Sequence, residues 1–326
     1  MKAVVYDEPG DESVLRIAEV ASPELQPGDL RIRVAAAAVN RADLLQRQGL
    51  YPPPPGASPI LGLECSGEVI EVGGRAEGWS PGDRAMALLS GGGYAEEVVV
   101  PAGCALRVPD RLGWEEAAAV PEVFLTVFLN VFQIAGFEEG QAALVHGGGS
   151  GIGTAAIQLI KASGGAIIVT AGDDEKCRRC RELGADVAVN YRSGDFVAAA
   201  KDATGGRGVD LVLDSIGAAY LERNLAALRT GGCLILIGLM GGARAELNLA
   251  SLLTRRLHLI GSTLRARPVE EKTELTEAFS RRFGDALARG RVQPVLDRVL
   301  PLGQVAEAHR VMKASRHFGK IVLQVS

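Results

Sequence analysis

The run His146-Gly-Gly-Gly-Ser-Gly-Ile-Gly153 is the part of this chain best suited to hold a phosphate. It follows the apolar stretch 142–146 and opens a stretch of helical character, 151–163. Glycines let a backbone turn sharply and approach a pyrophosphate. The N–H groups and dipole of the following helix then hold the anion. Ser150, Gly151, Ile152 and Gly153 are therefore candidate phosphate-binding residues. A strict G-x-G-x-x-G is absent because Ser150 stands at the middle glycine. The strand–turn–helix setting carries the reading, and a turn without ligand is the alternative.

The residues after the next two apolar stretches bear on which dinucleotide would bind. An acid at the tip of the second strand would accept the ribose hydroxyls and repel a 2′-phosphate. That strand ends at Thr170-Ala171-Gly172, with no acid at the tip, although Asp173 and Asp174 follow. Lys176 lies one helical turn further on, and Tyr191-Arg192 follows the third strand. Lys176 and Arg192 could neutralise a 2′-phosphate, and Tyr191 could hydrogen-bond it or stack on adenine. This favours NADPH over NADH. The alternative is ordinary surface charge, with the two aspartates capping a helix.

Other reactive side chains offer less. Cys177 and Cys180 have redox-motif spacing but fall inside a helical pattern, 175–183, and read as helix-surface thiols. The His residues at 146, 258, 309 and 317 show no metal-ligand spacing.

The elements that must position these residues form two patterns. Up to about residue 120 the chain is β-rich, with apolar segments near 2–6, 14–20, 30–39, 65–72, 84–88 and 94–100, and Gly/Pro turns between them. From 121 strands alternate with helices: strands at 142–146, 166–170, 187–190, 210–214, 233–238 and 257–262, helices at 151–163, 174–183, 194–203 and 218–228. Such alternation implies an α/β fold with a parallel, doubly wound sheet. A charged helix, 270–289, and strands at 295–300 and 320–325 read as rejoining the β-rich part. The expected organisation is a β-rich domain over 1–120, completed by 266–326, and a nucleotide-binding domain over 121–265.

Composition sets bounds. Hydrophobic residues make up 47% and charged residues 23% of 326, enough for a packed core. The net charge of −4 with no basic block argues against nucleic acid. Met1-Lys2 runs directly into an apolar strand-like segment rather than a leader. The apolar stretch 117–135 is interrupted by Pro121, Glu122, Asn130 and Gln133 and reads as a buried helix, not a membrane span. An odd, dispersed set of 5 cysteines suits a cytoplasmic setting.

Longer runs carry a family resemblance. Asn40-Arg-Ala-Asp-Leu-Leu-Gln-Arg-Gln-Gly49, Pro53-Pro-Pro-Gly-Ala-Ser58, Ile60-Leu-Gly-Leu-Glu-Cys-Ser-Gly67, Gly153-Thr-Ala-Ala-Ile-Gln158, Gly238-Leu-Met-Gly-Gly242 and Gly319-Lys-Ile-Val-Leu323 occur in this order. Together they resemble the medium-chain dehydrogenases/reductases over essentially the whole chain. Within them the chain looks like the zinc-free NADPH:quinone oxidoreductases, above all the subgroup related to the p53-inducible quinone oxidoreductase. The resemblance implies a GroES-like catalytic domain with a Rossmann domain, and a homodimer built through the last Rossmann strands. Zinc members of the superfamily carry Cys where Asn40 stands and His where Leu63 stands. Neither residue here is a useful zinc ligand, so no metal is expected.

Without metal, hydride transfer needs proximity and an electron-poor acceptor. The resemblance implies that Asn40, Asp43, Gln48 and Tyr51 line the site of a planar quinone, with Tyr51 able to supply a proton. It further implies cofactor contacts from Thr126, Asp214, Ile216, Gly238, Met240, Gly241, Ser262, Leu264, Arg267 and Lys320, the last as a phosphate contact. Packing or turn geometry is the alternative for each. An NADPH-dependent enoyl or alkene reductase, and a non-catalytic NADPH-binding protein, are the competing functions on this scaffold.

Overall fold

A computed structural model describes residues 1–325. The chain forms two compact units, Met1–Leu125 with the chain from Leu264 onward, and Thr126–Thr263.

The unit from Thr126 is built on a parallel sheet. In space its strands run Val187–Asn190, Ala166–Ala171, Ala142–His146, Val209–Asp214, Leu228–Leu236, His258–Gly261, each parallel to its neighbour. Strands buried on both faces need continuous apolar runs. Ala142–His146 and Val209–Asp214 are buried at every position, their apolar residues joined by the buried polar His146, Asp210 and Asp214. Helices Gly151–Ala162, Asp174–Glu182, Phe196–Ala203 and Leu221–Ala227 fill the crossovers. Leu144, Ile168, Val212, Phe196 and Leu234 share the core. Chain order reverses between Ala142–His146 and Val209–Asp214, and such a reversal opens a crevice at the carboxyl ends of the strands. This is the α/β, Rossmann-type sheet expected from the alternating pattern.

The other unit is built on a largely antiparallel sheet ordered Leu296–Pro301, Lys320–Gln324, Asp29–Ala38, Glu64–Val72, Arg84–Leu88, Ala105–Arg107, with Glu97–Pro101 also on Asp29–Ala38. Only the pair Leu296–Pro301 and Lys320–Gln324 is parallel, so the returning chain does rejoin the first part. Alternating side chains of Asp29–Ala38 enter the core with Val69, Tyr94, Ile321 and Leu323.

Several elements depart from the pattern read along the chain. The stretch 117–135 is broken into helices Trp114–Ala118 and Pro121–Val127 and a π-helical Phe128–Ile134. Pro121 lacks the N–H an unbroken helix would need, so it starts a new one. Helices Arg41–Arg47, Leu249–Thr254 and Val305–Lys313 add to those read along the chain. Cys177 and Cys180 are buried, not at the helix surface, because they face the neighbouring strand. Burial pushes both thiols up, Cys180 to about 12, away from redox reactivity. Among the described residues no helix is long and apolar enough to cross a membrane.

Candidate active site

The phosphate turn begins at Gly147, whose φ of 76° no branched side chain tolerates well. Ser150 caps the helix Gly151–Ala162, its Oγ accepting from Gly153 N at 3.0 Å. A Cβ at Gly153 would lie 2.3 Å from the Gly147 carbonyl oxygen and 2.5 Å from Gly148 Cα. The turn therefore folds back on its own helix, and only glycine permits that approach. N–H groups of a first helical turn have no carbonyl partner within the helix, and such groups favour an anion.

A buried polar chain ties this turn to the loop after the fourth strand. His146 Nδ1 meets Thr170 Oγ1 at 3.0 Å, and His146 Nε2 meets Asn224 Oδ1 at 2.7 Å. Asn224 Nδ2 donates to Asp214 Oδ2 at 3.0 Å, so its Oδ1 is the acceptor and His146 carries its proton on Nε2. Asp214 also accepts from Ile216 N and Gly217 N. Burial lowers His146 to about 4, which keeps the ring neutral.

The loop from Asp214 is laced to the one carrying Gly238, Met240 and Gly241. Met240 N donates to Ser215 O and Gly241 N to Ile216 O. The structure thus gathers Ile216, Gly238, Met240 and Gly241 at the carboxyl edge of the sheet. Asp214 differs from expectation: its carboxylate is wholly buried and engaged three times, so it shapes the loop instead of presenting a free acceptor. Met240 is exposed, not core. Ser262 Oγ is buried with no hydrogen-bond partner in the protein, an orphan that a bound polar group would satisfy. Thr126 is buried, its carbonyl accepting from Asn130 Nδ2. A dinucleotide fits this unit: a glycine-only cradle at one end and an unsatisfied hydroxyl at the other.

At the second and third strand ends, Asp173 caps its helix by accepting from Lys176 N, and Asp174 accepts from Asn190 Nδ2. Both aspartates are so engaged. A Cβ at Gly172 would lie 3.0 Å from the Tyr191 hydroxyl, so Tyr191 lies across that strand tip, with Arg192 exposed beside it.

In the other unit, Asn40 begins the helix Arg41–Arg47, and its N–H donates to Asp43 Oδ2 at 2.7 Å. Asp43 is fully buried and also accepts from Gly62 N and the Tyr94 hydroxyl. Burial pushes its carboxyl up to about 6, against the pull of these donors. Asn40 Nδ2 donates to Glu64 Oε1 at 2.9 Å, and Lys320 Nζ donates to Asn40 Oδ1 and Glu64 Oε1, each at 2.6 Å. Glu64 Oε2 accepts from Glu122 N.

Four of the expected site residues have surroundings that the sequence reading did not include. Lys320 is not free for a phosphate: it is 3% exposed and is spent on Glu64, Asn40 and the Val39 carbonyl. Arg267 pairs with Glu271 at 2.6 Å, and Leu264 is a buried apolar residue. Asp43 is fully buried and pins two backbone N–H groups and a phenol. Gln48 is partly exposed at the helix end, while Gln46 is the buried glutamine, its Oε1 accepting from Arg265 Nη2 at 2.6 Å. Tyr51 is partly buried, with the Arg265 guanidinium 5.4 Å from its ring centre. Burial raises the Tyr51 phenol, against the pull of Arg265, so it stays protonated and able to donate. Gln46, Arg265 and Glu64 went unread as site residues; the signal for each was a polar residue in an apolar context, which has many meanings.

The donor set does not suit zinc. Lys320 sets an ammonium on Glu64, and Leu63 offers no lone pair. Among the described residues no group of three or more His, Cys, Asp or Glu is placed to hold a metal.

Residues 26–110 match the alcohol dehydrogenase GroES-like domain, and residues 151–281 the family described as zinc-binding dehydrogenase. A solved NAD-dependent alcohol dehydrogenase is 36% identical, each chain fully covered, with a TM-score of 0.88. The chain belongs to the medium-chain dehydrogenase/reductase superfamily. Another solved member, Escherichia coli quinone oxidoreductase complexed with NADPH, is 27% identical with full coverage of both chains and a TM-score of 0.90. The CurK enoyl reductase is 25% identical, with 100% of this chain and 99% of that one covered and a TM-score of 0.88. Among curated relatives, a phenolphthiocerol/phthiocerol polyketide synthase subunit of Mycobacterium tuberculosis is 30% identical over 98% of this chain, which spans 14% of that protein's length.

Proposed function

We propose that this member of the superfamily is an NADPH-dependent oxidoreductase that delivers hydride to a quinone without a metal ion. One observation carries the reading. The Lys320 ammonium, 2.6 Å from both Glu64 Oε1 and Asn40 Oδ1, consumes the acceptors that a metal would need. An acceptor must then take hydride unaided by a Lewis acid, which favours an electron-poor quinone over a simple aldehyde. The NADPH complex of the E. coli quinone oxidoreductase supports the choice of cofactor.

NADPH, when bound, supplies the hydride. The turn Ser150–Gly153 holds its pyrophosphate, Lys176, Tyr191 and Arg192 its 2′-phosphate end, and Ile216, Gly238, Gly241 and Ser262 the nicotinamide end. Tyr51 donates a proton to the reduced oxygen, and Asn40 is held rigid by Lys320 and Glu64. The edge strand His258–Gly261, largely exposed, is where a second copy would add to make a homodimer.

The test is oxidation of NADPH and of NADH, each with quinones and with enones. Quinone turnover with a preference for NADPH is expected. Turnover of enones alone would favour the enoyl reductase reading, for which the CurK likeness speaks. Tight NADPH binding with no acceptor reduced would leave a nucleotide-binding protein.

A further inference from the structure

Arg265 and Lys272 are both 5% exposed, and among the described residues neither forms an ion pair with a carboxylate. Arg265 Nε donates to the Ser90 carbonyl at 2.9 Å, Nη1 to the Tyr51 carbonyl at 3.4 Å and Nη2 to Gln46 Oε1 at 2.6 Å. Lys272 Nζ donates to Ser90 Oγ at 2.8 Å and to the Arg265 carbonyl at 2.7 Å. Every one of these acceptors is neutral. Gln46 is oriented by its own bond from Nε2 to the Pro59 carbonyl, so its oxygen faces the guanidinium.

Two cations joined through Ser90 and the Arg265 backbone repel each other. Burying them without compensation is strongly unfavourable. The carboxylate whose field reaches Arg265 is Asp43, and Asp43 is spent on Asn40, Gly62 and Tyr94. The guanidinium keeps a second hydrogen on each terminal nitrogen and the ammonium keeps a third, beyond the bonds above. Tyr51, whose ring lies against Arg265, is the partly open member of the cluster.

We propose that Arg265, backed by Lys272, receives an oxyanion carried by the acceptor molecule, so that the preferred substrates are electron-poor planar compounds bearing a carboxylate or sulfonate. This rests on the placement of Tyr51 in the acceptor site. A guanidinium suits the task because its fixed fork matches an oxyanion. The charge that costs stability in the empty protein is neutralised when such a substrate binds, which is differential recognition against neutral acceptors.

The test needs no turnover. Binding of naphthalene-2-sulfonate and of its neutral isostere naphthalene-2-sulfonamide is measured by calorimetry on the full chain, wild type, Arg265→Gln and Arg265→Lys. The wild type should bind the sulfonate at least about tenfold more tightly, an advantage weakened by salt. Arg265→Gln should lose the preference, and Arg265→Lys should keep part of it. Equal affinities in the wild type, or a preference that survives in folded Arg265→Gln, would overturn the proposal. Comparing 1,2-naphthoquinone-4-sulfonate with 1,2-naphthoquinone as acceptors separates the two readings. An intact sulfonate preference with no quinone turnover removes the assigned reaction and upholds the anion site.

Discussion

Lys320 Nζ lies 2.6 Å from Glu64 Oε1, and the two side chains are 3% and 0% exposed. A pair so deeply buried gains from attraction roughly what it loses in desolvation, but removal of one partner strands the other. Lys320→Met should destabilise the protein by about 3–5 kcal/mol. Lys320→Met with Glu64→Gln should recover most of that loss. Denaturant titration of the two variants checks this, and a double variant no better than the single one would contradict the pairing.

His146 bridges Thr170 and Asn224, and through Asn224 reaches Asp214. Replacement by leucine leaves a buried amide oxygen unsatisfied, at about 1–3 kcal/mol. It also frees the phosphate turn from the loop after the fourth strand. His146→Leu should therefore weaken NADPH binding several-fold in protein that still folds, read by calorimetry. Unchanged affinity would show that the turn holds its shape without the chain of bonds.

Stability should fall on acidification. Burial lowers His146 to about 4 and His309 to about 3, both from an ordinary value near 6.5. The unfolded chain then takes up these protons first, so stability present above about pH 6.5 is lost as pH falls toward 4. Asp43, raised to about 6, acts in the opposite sense: its folded form holds the proton between about 4 and 6, so its contribution falls as pH rises through that window. Two histidines outweigh one aspartate, leaving a net loss on the order of 1.4 kcal/mol per pH unit near pH 5. Denaturation midpoints at several pH values measure the slope, which should shrink in His309→Gln.

Tyr51→Phe removes the proposed proton donor and keeps the ring against Arg265. Quinone turnover should drop by about 10²-fold or more, with NADPH affinity nearly unchanged. Retention of full activity would mean that solvent supplies the proton.

The phosphate turn was legible because everything that defines it is contiguous: an apolar strand, glycines, a capping serine and a helix. Gly153 is required by atoms of Gly147 and Gly148, only a few positions away. The inner strands of the parallel sheet were legible for a similar reason, since burial on both faces favours runs of apolar residues. The helix Arg41–Arg47 was not, because it lies outside the strand–helix alternation that made the equally short Leu221–Ala227 legible.

The amino-acid order alone determined the parallel sheet, the position of the glycine turn that opens Gly151–Ala162 and the lack of zinc donors at Asn40 and Leu63, all properties of local type and spacing. Tertiary structure decided what the buried charges do. Lys320 follows a glycine near the end of the chain and reads as a phosphate contact, yet it is folded onto Asn40 and Glu64. Arg265 meets Gln46 across 219 positions of sequence. The partner of a buried charge is set by which distant strands and loops the core brings together, and no local pattern encodes that choice.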